Sequence, residues 1–320
     1  MKKRIMVITQ DIGDEYTQKI KATAPDWELI VGKKKDVWAP YANKAEVIAG
    51  WKKDLEELSL RESSELRWVQ AWSAGVNTMP LEKLASKEIA LTSANGVHAY
   101  PISETIIGLM LGLTRKIHTY VKNQQEKNWH HAHMNLEMHG KTIGIIGVGE
   151  IGKETAKIAK AFGMRVLGVR NSGKEAENVD SMFTPEELHH VLPECDYVVI
   201  TLPLTPLTNQ IFGEKEFRLM KNSSFIINIG RGEIVKEDEL VEALQTGEIA
   251  GAGLDVFMKE PLEETSPLWE MENVIITPHT SGSTEHYTKR VIEDIFLPNL
   301  VHYLEGKLPP INLVDYSKGY

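Results

Sequence analysis

One cysteine, Cys195, stands in 320 residues. That excludes an intramolecular disulfide framework and any zinc or iron–sulfur site built on several thiolates. Long apolar runs are also missing, and none approaches the roughly 20 residues needed to cross a bilayer. The start Met1-Lys2-Lys3-Arg4 is basic, as in an export signal, but the run behind it, Ile5 to Ile8, is too short for one and reads as a first β-strand. Basic residues are in deficit: 36 Lys and Arg against 45 Asp and Glu leave a net charge of −9. With no concentrated basic stripe, neither nucleic acid nor an anionic membrane is indicated as a partner. What remains is 42% hydrophobic and 25% charged, the profile of a soluble globular chain long enough for two domains. A reduced, cytoplasmic protein is expected.

Strand-like runs alternate with amphipathic helical patterns, which predicts parallel α/β layers. The first series comprises Arg4–Thr9, Trp27–Gly32, Ala45–Gly50, Arg67–Trp72 and Ile89–Thr92. A long helix is predicted from Pro101 to about Lys127, with Gly108 and Gly112 allowing close helix packing. A second series follows: Ile143–Gly147, Arg165–Val169, Tyr197–Leu202, Ser224–Ile229, Gly251–Val256 and Val274–Thr277. Six such runs suit a doubly wound dinucleotide-binding sheet. A last helix, about Ser283 to Leu304, stops at Gly306, and Pro309-Pro310 forces an extended tail that can return to the first domain.

Gly147-Val148-Gly149-Glu150-Ile151-Gly152 supplies the Gly-x-Gly-x-x-Gly spacing between a buried-strand sequence and an unbroken helix, Lys153–Phe162. The first glycine permits the tight turn, the second admits a pyrophosphate, and the third lets helix and strand approach. Amides of the opening turn, from Glu150 and Ile151 onward, then face phosphate charge. The alternative is an ordinary glycine-rich turn. The next strand runs into Arg170-Asn171-Ser172, where an NAD-binding domain usually carries Asp or Glu. Arg170 can pair with a 2′-phosphate and Asn171 and Ser172 can add hydrogen bonds, so NADP(H) is favoured and NAD(H) remains possible.

Three further strand ends carry Arg231, Glu260 and His279. One parallel sheet brings all three to the edge that holds the phosphate cradle. Arg231 can hold a carboxylate and polarise the carbonyl beside it. His279 can give a proton to that oxygen as hydride arrives, with Glu260 fixing its tautomer. The trio therefore suits reduction of a 2-oxo acid. Taken singly, each has a plain structural explanation. Cys195 has no flanking base and reads as a small buried or edge residue. His130, His131 and His133 lack metal-ligand spacing, and no metal is expected. A structural role is the default for His98 and His118, and packing for Trp38, Tyr100 and Trp269.

Together, Gly147–Gly152, Asn228-Ile229-Gly230-Arg231-Gly232, Gly253–Phe257 with Glu260-Pro261-Leu262, and Thr277–Gly282 resemble the D-isomer-specific 2-hydroxyacid dehydrogenase family over nearly the whole chain. The resemblance implies a Rossmann nucleotide-binding domain and a flavodoxin-like substrate domain around a cleft. Residues 100–285 would form the first, and 1–99 with 286–320 the second. It implies that Asp255 contacts the nicotinamide end. Leu202, Pro203 and on to Thr208, together with Ile229, Gly230, Arg231, His279, Ser281 and Gly282, would line the cofactor. It also implies that amides of Ser73, Ala74, Gly75 and Val76, in the segment Trp72–Asn77, bind the substrate carboxylate. Pairing of two copies through Pro101–His139 would place Trp129 or Met134 near a pocket. Arg170 points to the NADPH-using subset in which glyoxylate and hydroxypyruvate reductases are prominent, and the lack of an extra C-terminal domain argues against longer phosphoglycerate dehydrogenases. Two alternatives stay open: an NAD-linked enzyme for larger acids such as D-lactate or 2-oxoisocaproate, and a nucleotide-sensing co-repressor that binds partner proteins.

Overall fold

The computed structural model describes residues 3–76, 78–131 and 135–317. Two compact units divide the chain: Met1–Val97 with Thr284–Tyr320, and His98–Ser283. Asn77, His133 and Met134 lie outside the described residues.

The first unit holds β1 (Ile5–Ile8), β2 (Glu28–Val31), β3 (Ala45–Ala49), β4 (Trp68–Gln70) and β5 (Ala90–Thr92) in the order β2-β1-β3-β4-β5. These five strands pair with one another in parallel, and an isolated antiparallel bridge joins Thr92 to Leu313 in the tail. A strand sandwiched between helices needs apolar residues on both faces, and the β1 sequence Ile-Met-Val-Ile is buried throughout. The C-terminal segment completes this unit. Ser93 N–H donates to Asn312 O at 3.0 Å and Val314 N–H to Leu91 O at 2.8 Å. Buried Asn299 exchanges two hydrogen bonds with the Ile311 backbone, at 2.9 and 2.8 Å, and so fixes where the tail turns back.

Among the described residues, the second unit has seven strands: β6 (Thr142–Ile146), β7 (Arg165–Val169), β8 (Ser181–Phe183), β9 (Tyr197–Ile200), β10 (Phe225–Asn228), β11 (Gly251–Leu254) and β12 (Val274–Ile276). Their order is β12-β11-β10-β9-β6-β7-β8, so the winding reverses between β6 and β9. Such a reversal leaves a crevice beyond the strand ends where ligands settle. Cys195 is fully buried beneath β6, and burial pushes its thiol up to about 12. A methyl group at Gly144 would lie 2.5 Å from its sulfur, which is why that strand position takes no side chain.

Four expectations need correction. The sheet has a seventh strand, β8, whose three half-buried residues are too few to show a period. The long helix is two, Ala99–Thr114 and Ile117–Gln125, separated at Lys116, whose φ of 51° is left-handed. Gly112 does pack closely, since an added methyl would meet Ile275 at 2.7 Å, but Gly108 has open space above it. The last helix starts at Tyr287, not Ser283, and Val291–Phe296 is a π-helical stretch before Leu297–Leu304. Pro298 has no N–H to give the preceding turn, and widening that turn accommodates it.

Candidate active site

The phosphate cradle opens the second unit. Gly147 turns at φ 111°, which a side chain rarely tolerates, and a methyl there would be 3.0 Å from the Leu202 nitrogen. Gly149 caps the helix Glu150–Ala161, which starts three residues earlier than its sequence pattern suggests. No atom lies within 4 Å of where a Gly149 side chain would stand, whereas one on Gly152 would be 2.8 Å from Gly147 O. The open second glycine and the packed third one suit a pyrophosphate over the helix N-terminus. The residues present therefore fit a dinucleotide. At the end of β7, Arg170 N–H donates to Phe183 O at 3.0 Å and Arg170 O accepts from Gly173 N–H at 3.0 Å, closing a turn. Among the described residues, nothing pairs with the Arg170 guanidinium, and Asn171 and Ser172 are exposed. Thr208 faces inward on its own loop: its hydroxyl donates to Pro203 O at 2.7 Å and accepts from Thr205 N–H at 2.7 Å.

Beyond β10 the chain is crowded. A methyl at Gly230 would lie 2.7 Å from Leu202 O, and one at Gly232 only 1.9 Å from the Phe257 carbonyl carbon. The two glycines flanking Arg231 thus let the loop after β10 sit directly on the loop after β11. Asn228, buried, accepts from Gly230 N–H at 3.1 Å and donates to Arg231 O at 3.0 Å. The guanidinium is exposed and donates to Gly230 O at 2.6 Å.

His279 and Glu260 meet: Nδ1 lies 2.7 Å from Oε2. Glu260 Oε1 also accepts from Phe257 N–H at 3.1 Å, which fixes the carboxylate. An ionised carboxylate only accepts, so Nδ1 carries a proton and Nε2 is the atom left to exchange one. His279 itself has a left-handed φ of 51°. Its N–H is held by Asp255 O at 2.9 Å and Thr277 O at 3.0 Å. Beneath it, the fully buried Asp255 carboxylate accepts from the Thr277 hydroxyl at 2.6 Å, Thr280 N–H at 3.0 Å and Ser281 N–H at 3.1 Å. A strained backbone persists only where its surroundings over-determine it. Asp255 supplies that here, acting on the site through the loop that carries His279. Gly282 O is 2.9 Å from His98 Nδ1, which gives that histidine a structural partner.

The chain as a whole is similar to known proteins. The model for the D-isomer specific 2-hydroxyacid dehydrogenase NAD binding domain matches residues 107–281. The chain belongs to that family. This dehydrogenase is 33% identical over 272 residues to glyoxylate/hydroxypyruvate reductase B of Salmonella schwarzengrund, covering 83% of each chain. It is 34% identical over 259 residues to glyoxylate reductase of Korarchaeum cryptofilum, covering 78% of this chain and 76% of that one. A solved D-isomer specific 2-hydroxyacid dehydrogenase from Xanthobacter autotrophicus Py2, in complex with NADPH and MES, superposes with a TM-score of 0.81 at 26% identity over the full length of both chains. The protein is thus an NAD(P)-linked oxidoreductase acting on small hydroxy acids.

In the first unit, Ser73, Ala74, Gly75 and Val76 lie in the loop after β4, separated from its end by Ala71 and Trp72. Asn228 and Thr277 stand in the segments that carry the resemblance but had no role assigned there, and Tyr287 was not singled out, though each bonds a loop of this dehydrogenase. Asn228 had a signal in its place just before Gly230-Arg231-Gly232, where a buried side-chain amide can bridge a tight turn. Of the remaining candidates, Trp38 is in the core, His130 and His131 are exposed, and His118 joins Gly112 O to Glu272 O at 3.1 and 2.9 Å. Among the described residues, no group of three or more His, Cys, Asp or Glu side chains could hold a metal ion, and no helix is long and apolar enough to cross a membrane.

Proposed function

We propose that this dehydrogenase reduces glyoxylate and hydroxypyruvate with NADPH, forming D-2-hydroxy acids. The observation that carries the reading is the His279–Glu260 pair at 2.7 Å, on a loop held in place by a buried carboxylate. In the reductive direction Arg231 holds the substrate carboxylate; the Ser73–Val76 amides, in the other unit, are assigned to carboxylate binding from the family resemblance. His279 Nε2 delivers the proton to the carbonyl oxygen, and the Glu260 carboxylate stabilises the imidazolium before that transfer. A bound dihydronicotinamide supplies the hydride. Residues 98–283 serve as the nucleotide domain and the other unit as the substrate domain.

For the cofactor, the support is the Arg170 guanidinium, which has no partner among the described residues, beside exposed Asn171 and Ser172, with no acid at the end of β7. One charge-assisted contact to a 2′-phosphate favours NADPH over NADH by about 10- to 100-fold in kcat/KM. The test is a panel of glyoxylate, hydroxypyruvate and pyruvate with each nucleotide at limiting concentration. Turnover of the first two, with NADPH preferred, is the expected result; an NADH preference overturns the cofactor assignment, and no turnover at any acid overturns the function.

The same reading makes the protein a homodimer. Tyr100, Ile117, Val121 and Trp129 are exposed apolar side chains along and just beyond Ala99–Gln125. Ile117 and Val121, four apart on one helix, share a face, which suits a surface that pairs. A sedimentation mass at the 36.0 kDa monomer contradicts it.

A further inference from the structure

In the loop after β4, one carbonyl after another is taken by a donor of the same unit. Ala71 O accepts from Gln70 Nε2 at 2.9 Å, Ser73 O from Ala94 N–H at 2.9 Å, Gly75 O from the Ser73 hydroxyl at 2.7 Å, and Val76 O from Met79 N–H at 2.9 Å. Trp72 O accepts from the Tyr287 hydroxyl. Among the described residues, no acceptor takes an N–H of Trp72 to Val76. A peptide group is planar and trans, so fixing a carbonyl fixes the N–H that follows it on the opposite side. Holding Trp72 O aims the Ser73 N–H, holding Ser73 O aims that of Ala74, and holding Gly75 O aims that of Val76.

The other donors come from the loop itself or from nearby in the first half of the chain. Tyr287 comes from 215 residues away, three residues after the chain re-enters this unit at Thr284. Its ring packs with Trp72 against Ala94, Val97, Val291 and Ile295, which settles where the hydroxyl sits. One turn on, Arg290 Nη1 donates to Val97 O at 3.2 Å and anchors the same helix a second time. Burial raises the Tyr287 phenol above its ordinary pKa, so it stays a protonated donor through the neutral range.

We propose that Tyr287 is a positioning residue for substrate: its hydroxyl, through the Trp72 carbonyl, keeps the Ser73–Val76 amides aimed at the carboxylate of a 2-oxo acid. The inference rests on the assignment of that loop made under the proposed function. Tyr287→Phe removes the one oxygen and keeps the packed ring. Steady-state kinetics with glyoxylate, inhibition by oxamate, and amide hydrogen exchange of the peptide spanning 72–76 are compared in the full-length protein. The glyoxylate KM and the oxamate inhibition constant rise together by about five- to tenfold, the scale of one neutral hydrogen bond, while kcat at saturation and the NADPH KM change by less than about twofold. Exchange in the loop becomes faster. Unchanged glyoxylate and oxamate constants overturn the proposal, as does a fall in melting temperature with kcat and the NADPH KM disturbed alike. The exchange measurement needs no turnover. If the unaltered protein reduces no 2-oxo acid, the functional reading fails on its own, and loop exchange unaffected by Tyr287→Phe then overturns the positioning role separately.

Discussion

His279→Ala is expected to lower kcat for glyoxylate reduction by about 10²- to 10⁴-fold, the range that a positioned general acid supplies. The reason lies in how much of the local structure serves that one ring. Nδ1 is tied to Glu260 at 2.7 Å, and the backbone is held left-handed by two carbonyls above a buried carboxylate. Removing the imidazole leaves Glu260 Oε1 on Phe257 N–H, so the neighbouring loop has no cause to collapse. NADPH binding, followed by its fluorescence, therefore stays near normal while turnover falls. A kcat within about tenfold of the unaltered protein would show that another group delivers the proton.

Arg231→Lys is expected to lower kcat/KM for glyoxylate by about 10²-fold, although the charge is kept. A guanidinium presents a planar fork that can hold a carboxylate through two nitrogens, and an ammonium is a single point on a flexible stem. The backbone beneath it is built for one placement. Gly230 and Gly232 admit the close approach to Leu202 and Phe257, and Asn228 clamps both sides of the turn. Lysine cannot reproduce the bond from Nη1 to Gly230 O and a two-point grip on substrate together. Both the rise in KM and the fall in kcat should appear, because the arginine also polarises the reacting carbonyl. A kcat/KM within about threefold of the unaltered value contradicts this role.

Much of this was legible before any coordinates. Among the described residues, eleven of the twelve strands stand out as apolar runs, because parallel strands covered on both faces are apolar throughout. Glycine positions read well too, since Gly147 and Gly152 answer to local turn geometry and close packing. Glu260 and His279 were legible as neighbours because a doubly wound sheet sends its strand ends to one edge, and they meet at 2.7 Å. The losses have physical causes. β8 is held by its pairing with β7, not by a pattern of its own. Lys116 breaks a helix that its neighbours' propensities would continue, its left-handed φ being invisible to a propensity pattern. Asp255 carried only its family role in the sequence, and its burial beneath the His279 loop depends on β11 and β12 lying side by side. Tyr287 was illegible altogether, since its partner is a backbone carbonyl 215 residues away.

The net charge of −9 also gains meaning from the site. Both proposed ligands are anions, and the groups offered to them are Arg170, Arg231, a helix N-terminus and the Ser73–Val76 amides, which have no acceptor among the described residues. Local donors matter more at such a site than the sign of the whole molecule.

The most direct measurement of the central claim is the chirality of the product when the unaltered protein meets hydroxypyruvate and NADPH. D-Glycerate, formed with one NADPH oxidised per molecule, is the predicted result. L-Glycerate, or no oxidation of NADPH at all, would contradict the account.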